Sequence, residues 1–118
     1  MKKQKNSEER PWGKYQVLLE DDNCKVKKIT VCPKSRLSYQ MHHKRAEVWV
    51  IVKGDGIVTI DGETKDLVPN SVVLVPYKTK HRIQNTSDEE ELVFIETQLG
   101  TYFGEDDIVR YEDDYDRK

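Results

Sequence analysis

The stretch Gln40-Met41-His42-His43-Lys44-Arg45-Ala46-Glu47-Val48-Trp49-Val50-Ile51-Val52-Lys53-Gly54 decides how the rest of the chain is read. It predicts extended backbone on both sides of residues 43–46, a loop of the length that commonly closes a hairpin. His42 and Glu47 then face each other across two antiparallel strands, and Gln40, two residues before His42, shares its face. Three groups able to bind a metal therefore converge on one side of a sheet, and His81 supplies another imidazole later in the chain. Val48 to Val52 is apolar at every position, the pattern of a central strand covered on both faces.

Outward from this stretch the signals are those of strands and tight turns. Residues 15–20 and 24–32 read as strands around a turn at Asp21-Asp22-Asn23, the second closed by Pro33. Residues 36–42 form the strand that enters the loop. Gly54-Asp55-Gly56 breaks the central strand, and residues 57–60 and 64–68 flank Asp61-Gly62, a strong two-residue hairpin signal. Further strands are predicted over 71–75, 81–85 and 91–97. Helical periodicity is sustained nowhere, so the chain reads as all-β, with roughly seven to ten short strands in a sandwich or barrel such as a jelly roll.

A chain of 118 residues suits one domain with a core of its own. The net charge of -2, from 20 basic and 22 acidic residues, argues against an electrostatic nucleic-acid or membrane surface. Neither an apolar span nor the apolar core of a signal peptide is visible, which predicts a cytoplasmic protein. Polar residues 1–10 are expected to be disordered, 11–103 to form the domain, and 104–118 to be an acidic tail packed in part against it. Cys24 and Cys32 lie ~26 Å apart along one extended segment, beyond disulfide reach, and read as reduced thiols.

These residues carry a resemblance. Gln40-x-His42, four residues, Glu47, six residues, Gly54 resembles the first cupin motif with Gln in the first histidine place, and Pro76-Tyr77-Lys78-Thr79-Lys80-His81-Arg82-Ile83-Gln84-Asn85 resembles the second. Lys34, Asn70 and Lys78 stand where cupins carry glycine. More narrowly, Arg10-Pro11-Trp12-Gly13, Leu37-Ser38-Tyr39-Gln40-Met41-His42-His43, Arg45-Ala46-Glu47 and Gly104-Glu105-Asp106-Asp107-Ile108-Val109-Arg110 resemble the isomerase domain of type II mannose-6-phosphate isomerases. In that family the domain usually follows a guanylyltransferase domain, which this sequence lacks, and His is common where Lys44 stands.

The resemblance implies a cupin jelly roll, commonly a homodimer. It implies a metal-dependent interconversion of mannose 6-phosphate and fructose 6-phosphate through a cis-enediol, in nucleotide-sugar and polysaccharide synthesis. The expected ligands are Gln40, His42, Glu47 and His81, around one divalent ion, Zn²⁺ first and Mn²⁺, Co²⁺ or Fe²⁺ compatible with the oxygen donors. Glu47, Lys44 and Arg110 are the expected catalytic residues, with Arg110 toward the phosphate and Lys44 either there or in solvent. His43 reads as a surface or packing residue, and Trp49 and Ile51 as pocket wall or core. Lys78, Lys80 and Arg82 read as solvated charges. His43, Lys44, Tyr39, Glu105 and a hydroxide on the ion all stay open as general base. A non-catalytic sugar-phosphate-binding cupin and another metal cupin enzyme, such as an oxygenase, are the rival readings.

Overall fold

Alternation of inward and outward side chains builds two antiparallel sheets, and the structure, a computed structural model, describes residues 7–115 of them. The strands are β1 (Ser7–Arg10), β2 (Gly13–Glu20), β3 (Cys24–Val31), β4 (Tyr39–Met41), β5 (Arg45–Lys53), β6 (Gly56–Ile60), β7 (Glu63–Leu67), β8 (Val72–Val75), β9 (His81–Asn85), β10 (Leu92–Gly100) and β11 (Val109–Glu112). One sheet runs β1-β2-β3-β10-β5-β8 and the other β11-β4-β9-β6-β7. No helix occurs among the described residues, so none there is long and apolar enough to cross a membrane. Between the sheets lie Val31, Trp49, Ile51, Val58, Leu67, Ile83, Leu92 and Phe94, each at most 2% exposed.

Two turns show how local chemistry sets the path. Asp61 and Gly62 both adopt positive φ, 46° and 86°, the mirror-image turn whose twist suits the β6–β7 hairpin. Lys34, Asn70 and Lys78, in the places where cupins carry glycine, also adopt positive φ, at 63°, 78° and 58°. The turn geometry survives without the glycine, at a steric cost of about 1–2 kcal/mol for each lysine.

Three expectations need correction. The expected hairpin across residues 43–46 does not form: β4 pairs with β9 and β11, whereas β5 pairs with β8 and β10 in the other sheet. Residues 42–44 instead carry the chain from one sheet to the other. There the Asp107 carboxylate accepts the His43 and Lys44 amides, and the His42 carbonyl accepts the Lys78 amide. The central strand is covered on one face only, with Val50 and Val52 at 40% and 52% exposure, because an antiparallel sheet can leave its outer face to water.

Residues 7–10 of the segment expected to be disordered form β1, paired with β2 and fastened by Arg10 to the Tyr15 hydroxyl; residues 1–6 lie outside the described residues. The tail supplies β11 and packs on the barrel through Arg82, which donates to the Glu112 carboxylate and carbonyl, and through Arg36 with Asp114. Residues 116–118 of that expected tail also lie outside the described residues. Both cysteines are free thiols.

Candidate metal centre and its pocket

His42, Glu47 and His81 meet between the sheets with ligand atoms within 4.8 Å of one another, all three buried. β5 presents Glu47 and Trp49 inward at alternate positions, β9 presents His81, and His42 follows directly on β4. Each imidazole is held by a backbone carbonyl. His42 Nδ1 donates to Asp107 O at 2.6 Å and His81 Nδ1 to Thr79 O at 2.9 Å. That leaves both Nε2 atoms turned toward the Glu47 carboxylate, 3.4 Å and 4.0 Å away. A carbonyl on the far nitrogen is what fixes the tautomer and ring orientation of a metal-ligating histidine.

The arrangement calls for a cation, and Arg45 supplies one. Its Nε donates to Glu47 Oε2 at 2.8 Å and its terminal nitrogen to His42 Nε2 at 3.1 Å. Trp49 Nε1 donates to the other carboxylate oxygen at 2.9 Å. Burial alone would raise the Glu47 carboxyl, but the Arg45 charge, followed by the two imidazoles and the indole N–H, outweighs it and holds Glu47 below the usual carboxylate range. Burial pushes His42 down to about 4 against the upward pull of Glu47, so its Nε2 lone pair is available at neutral pH. Two imidazole Nε2 atoms and a carboxylate fit a divalent ion of the zinc type, once the Arg45 side chain rotates off His42.

The model of the family described as mannose-6-phosphate isomerase C-terminal matches residues 1–113. The chain belongs to this family. Mannose-1-phosphate guanylyltransferase ManC of Salmonella typhimurium is 46% identical to it over 108 residues, which are 92% of this chain and 22% of that protein. Alginate biosynthesis protein AlgA of Pseudomonas aeruginosa is likewise 46% identical over 108 residues, 92% and 22% of the two lengths. The chain thus spans about a fifth of the length of these curated relatives. A solved cupin-2 domain of Rhodospirillum rubrum superposes with a TM-score of 0.67 at 21% identity, over 80% of this chain and 67% of that one. The fold is a cupin.

Within this isomerase-family domain the residues singled out in the sequence divide cleanly. Gln40 sits beside the cluster, its Cα paired with His81, and its amide nitrogen donates to Ser38 Oγ at 3.2 Å, which leaves the amide oxygen as its donor for a cation. Arg110 pairs with Gln40 from β11 and lines the pocket. Lys44 does not face the pocket: the crossing at 42–44 turns it outward, and its ammonium lies 5.1 Å above the Tyr102 ring. His43 is exposed, as expected. Arg82 is no solvated charge but a buried clamp on the tail.

Sequence reasoning missed several pocket groups. Arg45 stands between two ligands yet reads as a loop residue. Lys27, 4% exposed, lies 4.0 Å above the Tyr15 ring and 2.8 Å from Glu105. Arg10 and Glu96 also line the pocket. The available signal for Glu96 was the run Leu92, Phe94, Glu96, Gln98, in which two polar side chains follow two apolar ones at the inward positions of one strand.

Proposed function

We propose that this domain interconverts mannose 6-phosphate and fructose 6-phosphate through a cis-enediol, with one divalent ion, Zn²⁺ foremost, held by Gln40, His42, Glu47 and His81. The observation that carries this is the pair of imidazoles whose Nδ1 atoms are engaged by carbonyls while their Nε2 atoms converge on Glu47, in a member of this family. When bound, the ion supplies Lewis-acid stabilisation to the negative charge that develops on O1 and O2. Arg45, tethered by Glu47, brings a second positive charge to the same place. On the pocket wall Arg10, Lys27 and Arg110 give the cationic surface that a sugar phosphate needs, with the arginines offering forked donors. The buried walls at Trp12 and Trp49 keep water from the developing charge.

The test is to incubate the purified chain with mannose 6-phosphate and follow fructose 6-phosphate, with Zn²⁺, after chelation, and after reloading. Product that chelator stops and metal restores is the expected result. An ion and sugar phosphate bound without product would instead favour a binding cupin.

A further inference from the structure

An aldose–ketose isomerase needs a group that moves one proton between neighbouring carbons, and the pocket narrows the choice. His43 and Lys44 lie outside it, and the Tyr39 ring packs against Tyr111, 6.1 Å between centroids. Glu105 does line the pocket, but its carboxylate is tied to Lys27 at 2.8 Å. Burial, with the Glu105 charge nearby, pushes the Tyr15 hydroxyl up to about 12, too high to accept a proton near neutrality. Glu47 is committed to the cation.

Glu96 remains, a carboxyl 5% exposed on the pocket wall. In the β5–β10 register Glu47 lies opposite Gln98, and Glu96 opposite Trp49. The two glutamates are therefore diagonal neighbours on the inward face, about 7–8 Å apart at Cα. That spacing leaves room for a two-carbon unit between the cation site and the second carboxyl.

We propose that Glu96 is the general base and acid of the isomerisation, with Gln98 as the side chain that holds it in both protonation states. This inference rests on the isomerase reading. Gln98 is fully buried, its Nε2 lies 2.6 Å from Glu96 Oε2, and its Oε1 has no hydrogen-bond partner among the described residues. Such a separation is short for N–H···O and suits O–H···O. A half-turn of the amide would let a protonated Glu96 donate to the orphaned oxygen, and the reverse turn would let the amide N–H meet the carboxylate. Burial, then the Glu47 carboxylate, raises the Glu96 carboxyl above its ordinary range in the metal-free protein.

The step balances within substrate and protein. Glu96 takes the C2 proton; the C2–H electron pair becomes the C1=C2 bond, and the carbonyl π pair moves onto O1. Protonated Glu96 then returns the proton to C1, the double-bond pair forming the new C–H bond. The O2–H pair becomes the C2 carbonyl and that proton passes to O1. Neither an oxidant nor a reductant is consumed.

The experiment compares wild type, Glu96→Gln and Glu96→Asp in heavy water with Zn²⁺ and mannose 6-phosphate, reading product, deuterium at C1 and C2, zinc per chain and sugar-phosphate affinity by calorimetry. Glu96→Gln should lose about 10²–10⁴-fold in turnover and in exchange with zinc content and affinity unchanged, while Glu96→Asp keeps part of both. Infrared titration of the metal-free wild type should show a carboxyl band near neutral pH that Glu96→Gln removes, a readout independent of turnover and of the variant's activity. Wild-type turnover with Glu96→Gln within about twofold of it would overturn the role of Glu96 and leave the isomerase reading standing. A wild type that neither forms product nor exchanges would overturn both.

Discussion

Glu47 and Glu96 sit on neighbouring strands, face the same interior and are equally hidden, at 2% and 5% exposure, yet they are driven in opposite directions. Glu47 has Arg45 at 2.8 Å, Trp49 Nε1 at 2.9 Å and two imidazoles, and is held below the usual carboxylate range. Glu96 has the Gln98 amide, and burial followed by the charge of Glu47 pushes it up to about 8. Burial raises both carboxyls, so the direction is set by the partners that surround each one. Under the proposed function, one carboxylate keeps the cation and the other exchanges the proton, opposite tasks that their opposite shifts suit.

Removing the Glu47 charge should break this comparison most severely. With Glu47→Gln we expect no bound ion and no detectable isomerase product; the swap keeps the volume but leaves Arg45 without its ion pair, so circular dichroism of the variant is read alongside. Next, Arg45→Met leaves Glu47 buried without its ion pair. Metal-free protein should lose about 3–5 kcal/mol in urea unfolding, because a buried charge is stranded, and Zn²⁺ should restore much of it.

The pocket was only partly legible in the sequence. The spacing of Gln40, His42, Glu47 and His81 was readable because it matches the two cupin motifs, and the structure does bring His42, Glu47 and His81 together, though not through the hairpin expected to do so. The sheet assignment was not, since a short link can join strands of one sheet or cross between two; the pairing of β4 with β9 and β11 and of β5 with β8 and β10 shows that it crosses, and Asp107 holds the crossing by accepting the amides of 43 and 44. Ser7 to Arg10 carries no apolar pattern, as that edge strand is held by ladder bonds and by Arg10 on Tyr15. β11 was hidden among acidic residues whose cationic partners, Arg36 and Arg82, lie far away in the chain. Arg45 and Glu96 escaped because buried charged residues contradict the usual inside-outside pattern unless their partners are known.

A smaller effect sharpens the comparison. Glu96 has a folded value above its ordinary 4.5, so its contribution to stability is fully present below pH 4.5 and is lost as pH rises through about 8. The melting temperature of metal-free wild type should therefore fall from pH 5 to pH 9 relative to Glu96→Gln, in which that decline is absent. The smallest change concerns neither carboxylate: Lys34→Gly and Lys78→Gly relieve left-handed backbone at φ 63° and 58°. Each should add about 0.5–1 kcal/mol in denaturant unfolding without moving either titration.

The division of labour between the two carboxylates is tested most directly by one measurement, zinc per chain after equilibrium dialysis, made in parallel on wild type, Glu47→Gln and Glu96→Gln. The account predicts about one ion in wild type and in Glu96→Gln and none in Glu47→Gln. Loss of the ion from both variants, or its retention in Glu47→Gln, would contradict it.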